Sequence, residues 1–318
     1  MFNASFSRRL ALTVISAAAI TLAGCGGTVS SASGTTALTV TPALGAAYGA
    51  TVYVYSATGT LLGSGTTGSD GKANVSLTGY TAGQPIIIKT VLGVGSFYFN
   101  EKTGANTTPV TATETPVTLM AVVPAVATGQ AVGVTPLTNM AAAFSGVTAA
   151  TVIPTKTVTS AAAYEAVAKT NLALGLPATT NITEAPIAAT ASNWDKVAGV
   201  ITGSSTATGA VTGKILAEMA KASTSTPAAQ AVALAAAVNT TTGAIVTGTT
   251  PTVLTSVNTA LATAATTLSI TVVAPVTVLD VEILKEATAT ATAVVGNAVP
   301  GAVQKPTGTG TGSTSISG

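Results

Sequence analysis

The stretch Gly49-Ala50-Thr51-Val52-Tyr53-Val54-Tyr55 decides how the first part of this chain is read. From Thr51 to Tyr55 the side chains alternate strictly, and an extended strand sends successive side chains to opposite faces. Ala73-Asn74-Val75-Ser76-Leu77 repeats the period of two. Between them lie turn signals, Thr58-Gly59 and then Ser69-Asp70-Gly71-Lys72, whose Asp-Gly pair suits a tight hairpin needing positive φ. Working outward, further strands are expected at Leu38–Leu44, Leu61–Thr66, Pro85–Leu92, Ser96–Asn100 and Val117–Val123. Seven short strands at this spacing predict a β-sandwich over residues 37–125.

At Val134-Thr135-Pro136-Leu137 the pattern changes, because Thr before Pro reads as an N-cap followed by a first helical position. A helix is expected from there to Phe144, and the same signal recurs at Thr226-Pro227 and Thr250-Pro251. Ser160 and Ser192 are read as caps of two more. Tyr164, Val167, Ala168 and Leu172 recur at helical spacing up to Gly175, a C-terminal stop. Val211, Ile215, Leu216 and Met219 mark another stripe; Val253, Leu254, Val257 and Leu261 mark a third. Residues 269–284 suit a strand or a last helix. The fold class is therefore α+β, with the sandwich followed by an Ala/Thr-rich helical domain over 133–302 and a Gly/Thr/Ser tail, expected to be disordered, over 303–318.

Ala and Thr number 62 each in 318 residues, and only 7% of the chain is charged. Globular domains usually carry about 25% charged residues. With 47% hydrophobic residues the chain still has material for a core, which separates it from charge-rich disordered chains. It has no His and one Cys, so Cys/His zinc sites, His-dependent nucleophilic catalysis and disulfide frameworks are excluded together.

Residues 1–24 read as a secretory signal: Arg8 and Arg9, then an apolar run of 13 residues from Leu10 to Leu22. The run ends in Leu22-Ala23-Gly24-Cys25, which resembles the lipobox of bacterial lipoproteins. That resemblance implies acylation of Cys25 as first residue of the mature chain and, with Gly26 rather than Asp following, delivery to the outer membrane, with release from the cell left open. Residues 25–36 then form a flexible tether. Without Arg8 and Arg9, ten basic residues face ten acidic ones. Near-zero net charge argues against nucleic acid and against adsorption to anionic lipid. At about pH 2, below the carboxylate reference values, such a chain gains far less positive charge than an ordinary domain. The composition is that of a protein working in acid, or of a Thr/Ala-rich adhesin or surface-layer component from a neutral habitat.

Few residues suggest a site. Glu282 and Glu286 share a helical face with Asp280 and Lys285 near, as a metal or acid/base pair does, but a solvated helix end accounts for all four. Asp70 lacks the further oxygen ligands of a Ca²⁺ loop. In Phe97-Tyr98-Phe99, alternation sends Phe97 and Phe99 to one face and Tyr98 to the other. Core packing with Tyr98 exposed and an apolar contact surface are both open. Trp194 is expected to anchor a helix bundle. No Gly-rich run has the ending of a phosphate loop, and no catalytic constellation, metal site or cofactor is expected.

Residues 49–55 with Gly59-Thr60-Leu61-Leu62-Gly63 and Asp70-Gly71-Lys72-Ala73 resemble the carboxypeptidase-regulatory or transthyretin-like sandwich, which implies a fold and no site. The lipobox, the size and the charge depletion together resemble the licanantase-like surface-active lipoproteins of acidophilic sulfur-oxidising bacteria. What that implies is a non-enzymatic adhesin that wets elemental sulfur or sulfide mineral. The alternative is a structural envelope or biofilm lipoprotein binding a protein or polysaccharide. An acid-acting hydrolase with two converging carboxylates is the third expectation. Oligomeric state is not legible in the sequence.

Overall fold

Alternation at Thr51–Tyr55 becomes a pleated strand with Val52 and Val54 fully buried and Tyr53 and Tyr55 half-buried on the other side. A computed structural model of the protein describes residues 35–150, 158–177, 180–202, 209–223, 225–246, 251–268, 272–273 and 289. Its strands are β1 Thr36–Pro42, β2 Ala47–Tyr48, β3 Thr51–Ser56, β4 Leu61–Thr66, β5 Ala73–Leu77, β6 Ile86–Leu92, β7 Phe97–Asn100, β8 Ala105–Asn106, β9 Val117–Val123 and β10 Gln130–Val134. Helices α1 Pro136–Phe144 and α2 Ser160–Leu174 follow, then the short strands β11 Trp194–Asp195 and β12 Val200–Ile201. The last elements are α3 Ala210–Ala222, α4 Pro227–Ala236, β13 Val238–Asn239, β14 Ala244–Ile245 and α5 Pro251–Leu268. The chain is mixed α and β.

One antiparallel sheet has the order β4-β3-β6-β9, and a second has the order β10-β1-β5. Leu38, Val40, Val75 and Val132 of the second sheet meet Val54, Ile88, Leu119 and Ala121 of the first in a common core. Gly63 and Gly65 on β4 make the approach possible. A Cβ at Gly63 would run into the Ser76 carbonyl oxygen, and one at Gly65 would stand 3.0 Å from that of Asn74. Gly71 has φ +71°, as the Asp-Gly turn requires. That turn joins strands of two different sheets, so it carries the chain from one layer to the other instead of closing a two-stranded hairpin.

Between the expected sandwich and the expected helical domain the chain forms a further strand, β10. β10 pairs in parallel with β1, Leu38 opposite Gln130 and Pro42 opposite Val134. All described residues fall in one compact unit. Thr135 caps α1 through a reciprocal pair: Thr138 N–H donates to Thr135 Oγ1 at 3.2 Å and Thr135 N–H to Thr138 Oγ1 at 2.8 Å. Every residue of α1 is buried, which marks a helix covered on all sides. It lies against β9, α2 and α4.

The Thr226-Pro227 start, the helix from Pro251 and the left-handed Gly175 stop, φ 71°, stand as expected. Three expectations are corrected. Thr159, not Ser160, caps α2. Val211 is 43% exposed, although its expected partners Ile215, Leu216 and Met219 on α3 are buried. Ser192 caps no helix: Thr190 and Asn193 close a turn, with Thr190 N–H donating to Asn193 Oδ1 at 2.7 Å, and the chain continues into the β11–β12 hairpin. Cys25, residues 1–24, Asp280, Glu282, Lys285, Glu286 and the 303–318 tail lie outside the described residues, as do residues 25–34 of the tether and nearly all of 269–284.

Neutral side chains tie the layers together. Asn139 on α1 accepts from Met120 N–H on β9 at 2.9 Å and donates to Ala231 O on α4 at 3.1 Å. Gln230 on α4 donates to Met219 O on α3, and Asn258 on α5 donates to Leu174 O on α2. Ion pairs do none of this. Among the described residues there are two, Glu165–Lys169 at 2.7 Å and Glu218–Lys221 at 3.0 Å, each within one helix.

Candidate functional site

β7 carries the densest aromatic group and lies between β2 and β8. Period two holds: Phe97 and Phe99 share a face and Tyr98 takes the other. Both faces, however, are covered. Tyr98, expected to be exposed, is 7% exposed; its hydroxyl bonds to the Thr226 side chain and the Ala228 backbone at the start of α4. A phenol reaching a helix start is drawn inward because Tyr needs both an apolar body and a polar end to its pocket. Burial raises its pKa. Phe99 is fully buried, with Trp194 edge-on to it at 6.3 Å and 72°. Trp194 thus seals a small core with Ala189, Ile201 and Ala217 from a hairpin, and anchors no helix bundle.

Phe97 alone keeps an apolar surface. It is paired across the strands with Tyr48, ring centroids 5.0 Å apart, and both are half-buried. Val94, 72% exposed, projects at the Gly93–Gly95 turn just before this edge. The contact surface expected at Phe97, Tyr98 and Phe99 therefore contracts to Tyr48, Phe97 and Val94.

Glu101 follows β7 directly and is buried, accepting a hydrogen bond from the Gly45 backbone N–H. Burial pushes its pKa up to about 8, and the Gly45 bond offsets this only in part. Burial disfavours a charged carboxylate, so below that value Glu101 stands as the neutral acid. Among the described residues no other charged group contributes to the shift. Glu184 is raised as well, by partial burial, against a Gly209 backbone bond that lowers it. Nothing in the local sequence marks Glu101. It follows Phe-Tyr-Phe-Asn without a break, and a carboxylate at a strand end ordinarily faces water.

The turn beginning at Asn100 recurs twice. Asn100, Asp195 and Asn239 each accept a backbone N–H two residues on through the side chain, and each accepts at its carbonyl from Gly104, Gly199 and Gly243, four residues on. Those glycines have φ between 63° and 65°. A lysine stem lies against the first two, Lys196 at Gly104 and Lys221 at Gly199, and the Lys169 ammonium is beside Gly243. Lys196 and Lys221 therefore contribute methylene packing as well as charge. Among the described residues no cluster of three or more Cys, Asp or Glu side chains is assembled, and no helix is long and apolar enough to cross a membrane. Comparison of the chain with protein families, curated proteins and solved structures finds no match.

Proposed function

We propose that this chain is a lipid-anchored surface protein that operates in acid and promotes adhesion to, and wetting of, elemental sulfur or sulfide mineral. Cys25 is the acylated residue, the outer membrane the site of anchorage, and the two facing sheets a sandwich of the transthyretin-like kind. One observation carries the acid part: the ties between layers are made by Asn, Gln, Thr, Ser and Tyr, and the two ion pairs join residues of a single helix. Protonating carboxylates therefore breaks no described ion pair between elements, and at Glu101 and Glu184, which accept from the Gly45 and Gly209 backbones, burial already favours the neutral form. Glu101 acts in the same direction. Its proton is held more tightly in the folded chain than in the unfolded one, so its contribution to stability is complete below about pH 4.5 and is lost as pH rises through about 8.

A weakly charged body has little hydration to lose at an apolar solid. Tyr48, Phe97 and Val94 offer such a solid an apolar edge, and acyl chains add roughly 0.8 kcal/mol per buried CH₂. The test compares adsorption of acylated protein and of Cys25→Ser to sulfur particles and to hydrophilic silica at acid pH. Strong, salt-insensitive adsorption of the acylated form to sulfur is expected, with a large loss in Cys25→Ser. Equal uptake by silica, or steep salt dependence, refutes the proposal.

A further inference from the structure

Tyr53 and Tyr55 occupy the face of β3 opposite the buried Val52 and Val54. The register places Ser64 and Lys89 on either side of Tyr53, with Leu61 beside Tyr55 and Thr66 beside Thr51. Toward β9 this side of the sheet is covered: Ile87, Met120 and Val122 pack against Ala142 of α1 and Ala163 of α2, and Tyr55 leans against this cluster with part of its ring left exposed. Toward β4 it is open, with Leu61 54% exposed and Ser64 and Thr66 exposed. The two tyrosine rings stand 6.4 Å apart, inclined by 33°. Among the described residues neither phenol hydroxyl has a hydrogen-bond partner. Among the register partners of Thr51, Tyr53 and Tyr55 on β4 and β6 the one charged residue is Lys89, whose ammonium donates to Ala149 O at 3.4 Å.

The chemistry of this strip selects its occupant. Two neighbouring aromatic rings along a strand offer stacking surfaces in a row, bordered by Ser and Thr hydroxyls. A pyranose chain presents the matching alternation of C–H faces and hydroxyls, and it carries no charge for the strip to neutralise. An anionic polymer would find one cation, already engaged. A protein partner would need a larger apolar centre than Leu61 supplies.

We propose that the outer face of β3 and β4, around Tyr53 and Tyr55, binds an extended neutral polysaccharide. This goes beyond sulfur adhesion and depends neither on Cys25 nor on acid. The test uses the full chain carrying Cys25→Ser, so that no acyl chain contributes, with amorphous cellulose and chitin as two extended neutral glycans. Retention on at least one is expected, unchanged in roughly 1 M salt. Tyr53→Ala with Tyr55→Ala should weaken it about tenfold or more, whereas the double Phe variant keeps the rings and stays within about threefold. Ser64→Glu, exposed and directly opposite Tyr53, should produce the same loss without touching the core, so the test survives if the double Ala variant folds poorly. Val197→Ser, at an exposed hairpin tip, should change nothing. Absence of retention on both glycans overturns the proposal, as does retention indifferent to the tyrosines and Ser64. Tyrosine-dependent binding to neutral phosphatidylcholine vesicles in place of glycan also overturns it and assigns the face to membrane.

Discussion

β7 and β3 are both aromatic strands, and they do opposite things with their rings. In β7, the densest aromatic run in the chain, Tyr98 and Phe99 are interior and Phe97 alone reaches an edge. In β3, whose tyrosines stand in a plain Thr-Val-Tyr-Val-Tyr alternation, both rings stay half-exposed, Tyr55 with one side against the Ile87 cluster. Alternation determines which side chains share a face. Whether that face is covered depends on elements far along the chain: α4 reaches Tyr98 and the β11–β12 hairpin brings Trp194 over Phe99. Aromatic density is therefore a guide to packing, and an isolated pair on a face covered on one side only is the better guide to a surface.

The sharpest way to break this contrast is to truncate one ring on each strand. Phe99→Ala should cost about 3–5 kcal/mol, the usual range for a fully buried phenylalanine, while Tyr53→Ala should cost under about 1 kcal/mol. Urea unfolding of the two variants measures both, and similar losses would erase the distinction. Next in size is the carboxyl at the end of β7. Glu101→Gln should stabilise the chain at pH 8.5 by on the order of 3 kcal/mol and change little at pH 4, because only the ionised form opposes burial. A gain that is the same at both pH values means that Glu101 does not titrate between them.

Hydroxyl removal is gentler. Tyr98→Phe should lose about 1–2 kcal/mol, since Thr226 and the Ala228 backbone are left with a buried partner missing. Tyr55→Phe should be close to neutral; thermal unfolding separates the two. Smallest of all is Asp195→Asn, expected within about 0.5 kcal/mol from pH 3 to 7. Asn100 and Asn239 already hold the same turn without a charge. A clear loss at neutral pH would show that charge, rather than the acceptor oxygen, holds Asp195 in place.

Much of the β-rich part is legible in the sequence because its signals are local. The seven expected strands recur within a residue or two of their expected bounds, since each carries its own period and turn residues. β10 is not legible: Gln-Ala-Val-Gly-Val has only two bulky apolar residues, and what makes it a strand is a parallel partner some ninety residues earlier. Helix starts with Thr-Pro are legible for the same local reason, whereas the segment around Ser192 offers a cap residue whose neighbours prefer a turn. Of the candidate site, the shared face of Phe97 and Phe99 was readable. The burial of Tyr98 and of Glu101 was not, because distant elements remove both from water.

Those distant ties are neutral, which is the core of the account, and its most direct test is the pH dependence of tertiary structure in the unmodified chain. Near-ultraviolet circular dichroism and the thermal midpoint are followed from about pH 8.5 to about pH 2, across the carboxylate reference values. The account predicts a retained near-ultraviolet signal throughout and a midpoint at pH 4 no lower than at pH 7, with the lowest value at the alkaline end where Glu101 ionises. Collapse of the near-ultraviolet signal by about pH 3 with helix and strand content kept, the mark of a molten globule, would contradict it.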